Sequence, residues 1–250
     1  MNPILLITYN NLELTKQAVA SALAQSIPVH LTLVDNGSTD GTREWAIEEL
    51  MPLGNVDLYT NTYNRPVTEV SNYYLEDLFS SHDYVLGIPN DVILHPDLYR
   101  EFLKWPRGIV TGSEIRNRAI YDTFIENGIP DTAAISENTP MAVALVRKWC
   151  YDALIAKDGH FFDPQFIHYT SDCDFALRMA SCGIHGVQLN IPYWHYGSAS
   201  VRLADPFTME RIRGVADADR ARFVQKWGFK VDSLEYGQRP TDPNFRGEHA

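Results

Sequence analysis

Long apolar runs are absent from this chain of 250 residues: none approaches the roughly 18 residues that a membrane-spanning helix requires. A secretory leader is not expected either, because no basic start precedes the first apolar run. Cysteine is scarce, and Cys150, Cys173 and Cys182 are odd in number and lack Cys-x-x-Cys spacing. That argues against a disulfide framework or a thiolate zinc site and makes a reduced, cytoplasmic setting the expectation. Positive charge is short too. The formal net charge is -11; nine basic face eight acidic side chains from Ser200 onward, leaving 12 basic against 24 acidic in the first 199 residues. Such a body argues against a broad nucleic-acid-binding face, whose affinity rests on phosphate contacts, although a small basic patch stays open. Repeats and low-complexity tracts are missing. So is a Gly-x-Gly-x-x-Gly fingerprint after the first apolar run, which argues against a dinucleotide site. What is present, 45% hydrophobic and 21% charged residues, is ordinary for a soluble globular protein.

The stretch from Val29 to Thr42 organises the rest. Its alternating, β-branched apolar run predicts a buried strand that leads directly into the polar loop Asp35-Asn36-Gly37-Ser38-Thr39-Asp40-Gly41. A helix follows, with Thr42 or Asp40 as cap and Trp45, Ile47 and Leu50 as apolar positions. Strand, loop and helix form one unit of an open α/β sheet, in which ligands bind beyond the carboxyl ends of the strands. Asp35 therefore stands where a ligand would be. The same unit recurs on both sides. A strand over Pro3–Thr8 precedes a helix from Leu12 to Gln25 with an Asn at its head, and a strand over Val56–Thr60 ends at Asn61. A helix over Val67–Ser80 then leads to a strand from Asp83 to Ile88, halted by Pro89-Asn90-Asp91. The expectation is a mostly parallel sheet flanked by helices, with right-handed crossovers. Four strand endings, Tyr9-Asn10, Asp35-Asn36, Asn61 and Asn90-Asp91, then gather hydrogen-bonding groups and two carboxylates along one edge, as a binding cleft requires.

The second half is less regular. Gly108 to Gly112 reads as a strand, and residues 116–139 as a long loop or a loop with a hairpin. Thr139-Pro140 has the form of a helix start, with Val143, Leu145, Val146 and Trp149 as buried positions. Ser171 begins a helix that stops at Gly183, and Ser171 with Asp174 fits a capping box. Asp174 and Arg178 stand four apart, as a helix ion pair. Val187 to Ile191 is a short strand, Trp194-His195-Tyr196-Gly197-Ser198 a polar-aromatic loop, and Pro206 to Trp227 the last helix. Arg211, Arg213, Arg220 and Arg222 alternate with acids as a solvated helix face. The tail with Pro240, Pro243 and Gly247 is irregular.

Thr8-Tyr9-Asn10, Val34-Asp35-Asn36-Gly37-Ser38-Thr39-Asp40-Gly41-Thr42, Asn90-Asp91, Asp172-Cys173-Asp174 with Arg178, and His195 occur in the order seen in family 2 glycosyltransferases. The chain resembles most the non-processive, rhamnosyltransferase-like branch, over about Pro3 to Gly228. The resemblance implies a GT-A fold, a nucleotide-sugar donor of UDP or dTDP type, a divalent metal (Mn²⁺ or Mg²⁺), and inverting transfer to a glycan or lipid-linked sugar. It implies a nucleotide-sugar half over residues 1–92, an acceptor and catalytic half over 93–200, and a C-terminal helical extension over 201–250. Thr8, Tyr9 and Asn10 resemble the loop that holds nucleobase and ribose, and Asp35 the acid that contacts them; Asn36, Asn61 and Asn90 belong to the same strand-end cleft. Asp91 matches the last position of the Asp-x-Asp metal motif, His195 a further metal or diphosphate ligand, and Asp172 the general base. Trp194, beside His195, is the acceptor-contact candidate. Three positions depart from the family pattern. Pro89 occupies the first place of the metal motif, Ser171 replaces the Glu before the base, and residues 64–72 lack the usual small, glycine-containing stretch. The Gln-x-x-Arg-Trp motif of processive synthases is absent.

The residues alone leave blander readings open. Asp172 can serve only its helix N-terminus, Asp91 can be a turn residue, His195 a packed histidine, and Trp149, Trp194 and Trp227 core. A sugar nucleotidyltransferase would use the same sheet edge, but Thr8-Tyr9-Asn10-Asn11 lacks the basic residues such a loop carries. A catalytically idle nucleotide-sugar or glycan-binding module fits the departures at Pro89 and Ser171.

Overall fold

A computed structural model describes residues 1–129, 131–136, 141–197 and 206–231, the side chains of 206–208 excepted. Strands β1 (Asn2–Thr8), β2 (Val29–Asp35), β3 (Val56–Thr60) and β4 (Tyr84–Pro89) alternate with helices α1 (Leu12–Leu23), α2 (Thr42–Trp45) and α3 (Val67–Ser81). A π-helical turn, Ala46–Leu50, and a short 3-10 turn, Met51–Leu53, extend α2. All pairings among these four strands are parallel, in the order β3-β2-β1-β4. The near-continuous apolar runs of β1 and β4 suit central strands covered on both faces, β3 is the edge, and Ile4, Leu6, Leu31, Leu33 and Leu86 are fully buried.

Beyond β4 the sheet becomes mixed. β8 (Ala144–Arg147) inserts antiparallel between β4 and β6 (Ile109–Ile115); β9 (Val187–His195) lies parallel to β6 and antiparallel to β5 (Val92–Leu94) and to β7 (Ala134–Ser136). One helix layer, α1 with α4 (Leu98–Leu103), packs Val19, Ala22, Leu98 and Phe102 on one face. On the other, α3, α6 (Lys148–Asp158) and α7 (Ser171–Ser181) bring Phe79, Leu154 and Phe175. The last helix, α8 (Pro206–Trp227), docks through a small separate cluster of Phe166, Leu177 and Phe223.

Several expectations are corrected. Residues 118–127 form a helix, α5 (Arg118–Asn127), whose N-terminus is capped by the Asn117 side chain accepting from the N–H of Ala119 and Ile120. Ile120, Tyr121, Phe124 and Ile125 do recur at helical spacing, a signal that the surrounding polar residues obscured, and only Tyr121 is buried. Leu145 and Val146 lie in strand β8 (Ala144–Arg147) rather than in a helix, and Val143 stands just before it; so short a run has no period of its own to tell the two apart. The helix starts at Lys148, and Trp149 is 51% exposed. Thr139-Pro140 and the tail beyond Val231 lie outside the described residues. The capping box at α7 does not form: Thr170 is the N-cap, in the left-handed region, and the Ser171 hydroxyl donates to the His168 carbonyl. Asn11 does not cap α1 with its side chain either; the Leu12 N–H is taken by Asp40 from the neighbouring loop at 2.9 Å.

Candidate active site

The parallel strands end together, and their tips are bonded to one another. Thr8 and Asp35 are cross-strand partners, and the Asn36 N–H donates to the Thr8 carbonyl at 2.8 Å. Asn10, at φ 56°, turns the chain so that its N–H meets the Ser38 hydroxyl (2.8 Å) and its Oδ1 accepts from the Thr39 N–H (2.8 Å). Left-handed backbone is tolerated by Asn, whose short polar side chain bonds locally. Asn61 Nδ2 donates to Asn36 Oδ1 at 2.8 Å, and Asn36 Nδ2 to Asn64 and to the Arg65 carbonyl. Asn90 Nδ2 reaches Thr8 Oγ1, the Asn10 carbonyl and Thr15 Oγ1 at 3.0–3.1 Å. Gly37 is obligatory here: it sits at φ +84°, and a Cβ would lie 2.6 Å from the Tyr63 backbone. Tyr9 is half-buried at the end of β1.

Thus Thr8, Asn10, Asp35, Asn36, Asn61 and Asn90 are brought to one rim. Thr8, Asn36 and Asn90 spend side-chain bonds on tying it together. Asp35 differs. It is 1% exposed, its Oδ1 accepts the Ser38 N–H at 3.0 Å, and its Oδ2 is buried with no partner. A buried acceptor without a donor is costly, and a bound N–H or hydroxyl would relieve it.

The turn after β4 carries Asp91 to β9. Val92 pairs with His195, and His195 Nε2 lies 3.2 Å from Asp91 Oδ1. On its other side, His195 Nδ1 stands 3.3 Å from Glu114 Oε2. Burial alone would lower the His195 pKa, but the two carboxylates outweigh it and push it up to about 9. Glu114, which also engages Arg116, is held below the usual carboxylate range, chiefly by His195. Sequence reasoning missed Glu114; its position at the end of a strand, with Arg116 two residues on, was the only hint. Trp194 is corrected in its setting. It belongs to β9 rather than to a loop, and successive strand residues face opposite sides, so it does not share the His195 face. Its ring lies against Arg118 of α5, 5.5 Å from the guanidinium carbon.

Asp172 is exposed in the first turn of α7, where its Oδ1 accepts the Cys173 N–H at 2.9 Å. His168, another residue the sequence did not single out, has a solvent-exposed side chain; desolvation by the protein around it lowers its pKa against the opposing charges of Asp219, Asp172 and Asp91. Asp174 is structural, as its spacing suggested, but through α8. Fully buried, it accepts from Lys226 at 2.6 Å and Trp227 at 2.9 Å, with Arg178 3.8 Å away. Its burial raises the carboxyl pKa, and those partners only partly offset this. Arg222 also departs from the solvated face by reaching Asp219.

A cation would find Asp91 and His195 side by side. Their 3.2 Å separation is that of an ion pair with a protonated His195, so a cation held here would displace the Nε2 proton and leave Nε2 and Asp91 Oδ1 as neighbouring donor atoms. Among the described residues no group of three or more His, Cys, Asp or Glu side chains gathers as a metal cage. A hollow of about 640 Å³ beside α4, lined by His95, Arg100, Glu101 and Lys104, shares no residue with this rim.

Residues 4–111 match the family model for glycosyl transferase family 2. That match gives residues 4–111 the character of a family 2 glycosyltransferase domain, and the fold of the chain is of GT-A architecture. Among solved structures it is similar to a mannosyltransferase of Pyrobaculum calidifontis in complex with GDP-mannose and Mn²⁺, with a TM-score of 0.54 and 19% identity over 80% of this chain and 58% of that one. It is also similar to residues 1-349 of S. aureus TarS in complex with UDP (TM-score 0.56, 14% identity, 92% of this chain and 72% of that one). A third likeness is to GalNAc-T7 with UDP, GalNAc and Mn²⁺ (TM-score 0.57, 9% identity, 78% and 43%). The chain therefore spans less than two thirds of the mannosyltransferase and of GalNAc-T7. No curated protein matches it by sequence. Among the described residues, no helix is long and apolar enough to cross a membrane.

Proposed function

We propose that the protein is a metal-dependent, inverting glycosyltransferase that moves a sugar from a UDP- or dTDP-type donor to a hydroxyl of a glycan or lipid-linked acceptor, in the cytoplasm. The observation that carries this reading is the single rim joining the unpartnered Asp35 Oδ2 to the Asp91–His195 pair. In this reading residues 1–92 grip the nucleotide-sugar, 93–200 supply acceptor contacts and the base, and 201–250 extend the second half. Asp35 takes a donor from the nucleoside, with Tyr9, Asn10 and Asn61 around it. Asp91 and His195 would hold a divalent cation, which supplies charge neutralisation on the diphosphate; one carboxylate suffices where phosphates and waters complete the shell. Asp172 accepts the proton of the acceptor hydroxyl as the oxygen bonds to the anomeric carbon, and the electron pair of the breaking bond leaves with the nucleoside diphosphate. The likeness to structures holding GDP-mannose, UDP and Mn²⁺ supports the donor class and leaves the base open.

A thermal-shift panel of UDP, dTDP, GDP and CMP, each with and without Mn²⁺, tests it. Ligand at a hundredfold excess over Kd stabilises by about 2.7 kcal/mol, roughly 5–10 °C for a chain of this size. One nucleotide should give that shift, and Asp91→Asn should lose the Mn²⁺-dependent part. No shift with any of the four would overturn the proposal. Binding without donor turnover would favour the idle module, the reading to which Pro89, engaged in β4 rather than offering a carboxylate, lends support.

A further inference from the structure

Asp219, on α8, is fully buried, and both of its carboxylate oxygens are turned to a loop some fifty residues upstream. They accept the backbone N–H groups of Ile167 (3.1 and 3.2 Å), His168 (2.9 Å) and Tyr169 (2.8 Å), and Arg222 donates to Oδ1 at 2.8 Å. Three consecutive N–H groups converging on one point make an anion-binding nest, and here the protein fills it with its own side chain. A buried carboxylate is tolerated only when it is hydrogen-bonded and paired, and this one is both. The opposite flank of the loop is fastened by the first turn of α3: Val67 N–H donates to the Ile167 carbonyl at 3.1 Å and the Thr68 hydroxyl to the Phe166 carbonyl at 2.5 Å. From the nest the chain passes through Thr170 at φ 57°, with its hydroxyl 3.4 Å from the Asp219 carbonyl, and enters α7, where Asp172 lies in the first turn. Docking of α8 is already served by Phe223 against Phe166 and Leu177. The Asp219 carboxylate instead grips backbone, three residues from the proposed base.

We propose that Asp219 is a positioning residue for sugar transfer: its buried carboxylate fixes the 167–170 loop, and through that loop holds Asp172 opposite the Asp91–His195 pair. This role rests on the transferase reading above. A displacement of about 1 Å at a reacting group can cost on the order of a hundredfold in rate, and a residue acting through Asp172 should lose its effect once Asp172 is gone.

The test is a double-mutant cycle on Mn²⁺-supported hydrolysis of UDP-, dTDP- and GDP-sugars, with water as acceptor. Asp219→Asn should lower kcat by roughly 10- to 100-fold while donor KM and the nucleotide-induced thermal shift stay at wild-type values. In an Asp172→Asn background it should lower kcat no further. If Asp219→Asn does not purify folded, Asp219→Glu, which keeps the charge but lengthens the arm by one methylene, enters the same cycle with the same expectation. Unchanged kcat, a raised KM in place of a lowered kcat, or an equal loss in the Asp172→Asn background each overturns the positioning role alone. A wild type that neither binds nor hydrolyses any donor removes the transferase reading, and this role with it.

Discussion

The two sides of the candidate site are built on opposite plans. On the donor side, the tips of β1, β2 and β3 and the turn after β4 hold one another: Asn10 clasps the Ser38–Thr39 loop, Asn36 joins Asn61 to Arg65, and Asn90 closes on Thr8. On the other side, residues 163–174 are held from outside. Asp219 gathers the loop N–H groups, Lys226 reaches Asp163 and Asp174 at 2.6 Å each, and Thr68 takes the Phe166 carbonyl. The first side comes preassembled with the parallel sheet. The second depends on α8, a helix docked through few apolar residues, so under the proposed function a change there should impair transfer while the nucleotide still binds.

That difference can be broken in order of effect. Asp172→Asn removes the proposed base and should cost about 10²- to 10⁴-fold in kcat, with nucleotide-induced stabilisation intact; near-normal turnover would detach the base from this helix. Gly37→Ala strikes the other side. Its Cβ meets the Tyr63 backbone at 2.6–2.9 Å at a positive φ, so urea unfolding should report a loss of about 2 kcal/mol or more, together with weakened nucleotide binding. Lys226→Met leaves Asp163 and Asp174 without their ammonium. Its head is partly open to water, so the expected loss is smaller, roughly 1–2 kcal/mol at neutral pH, with nucleotide binding unchanged.

The last variant also has a sign in pH. Burial would raise the Asp163 carboxyl, but Lys226 and the Gln165 donors outweigh it and hold it below its ordinary value. A depressed carboxyl contributes stability above its unfolded pKa near 4, and loses it as pH falls through the folded value. Lys226→Met should therefore be most harmful at neutral pH, and its Tm should approach that of the wild type only as pH falls below about 4, toward the depressed Asp163 value. A gap that widens with acid would contradict the pairing.

Legibility in the sequence followed the same divide. The donor side is written locally: each strand is an apolar run, each ending an Asn or Asp, and Gly37 follows directly on Asp35-Asn36. Period and turn chemistry were enough to place Asp35, Asn36, Asn61, Asn90 and Asp91 on one edge. Glu114, His168 and Asp219 became visible only when strands and helices distant in sequence were packed together. No spacing announces that Asp219 will meet a loop fifty residues away. β8 failed for a different reason: a four-residue strand between β4 and β6 has no period, and its identity comes from the neighbours that bond to it. Thr42 or Asp40 was expected as the cap of α2, but Gly41 is its N-cap; Asp40 takes the Thr42 N–H at 3.2 Å from one residue further out and also reaches the Leu12 N–H of α1. Trp194 was placed beside His195 by adjacency in the chain, which in a strand means opposite faces.

The most direct test of the central claim is anomalous diffraction from crystals grown with Mn²⁺ and the nucleotide that stabilises the protein. The account predicts one manganese peak within coordination distance of Asp91 and His195, the diphosphate on its open side and a nucleoside donor at Asp35 Oδ2. Manganese bound away from Asp91, or a nucleotide bound away from the tips of β1, β2 and β4, would contradict it.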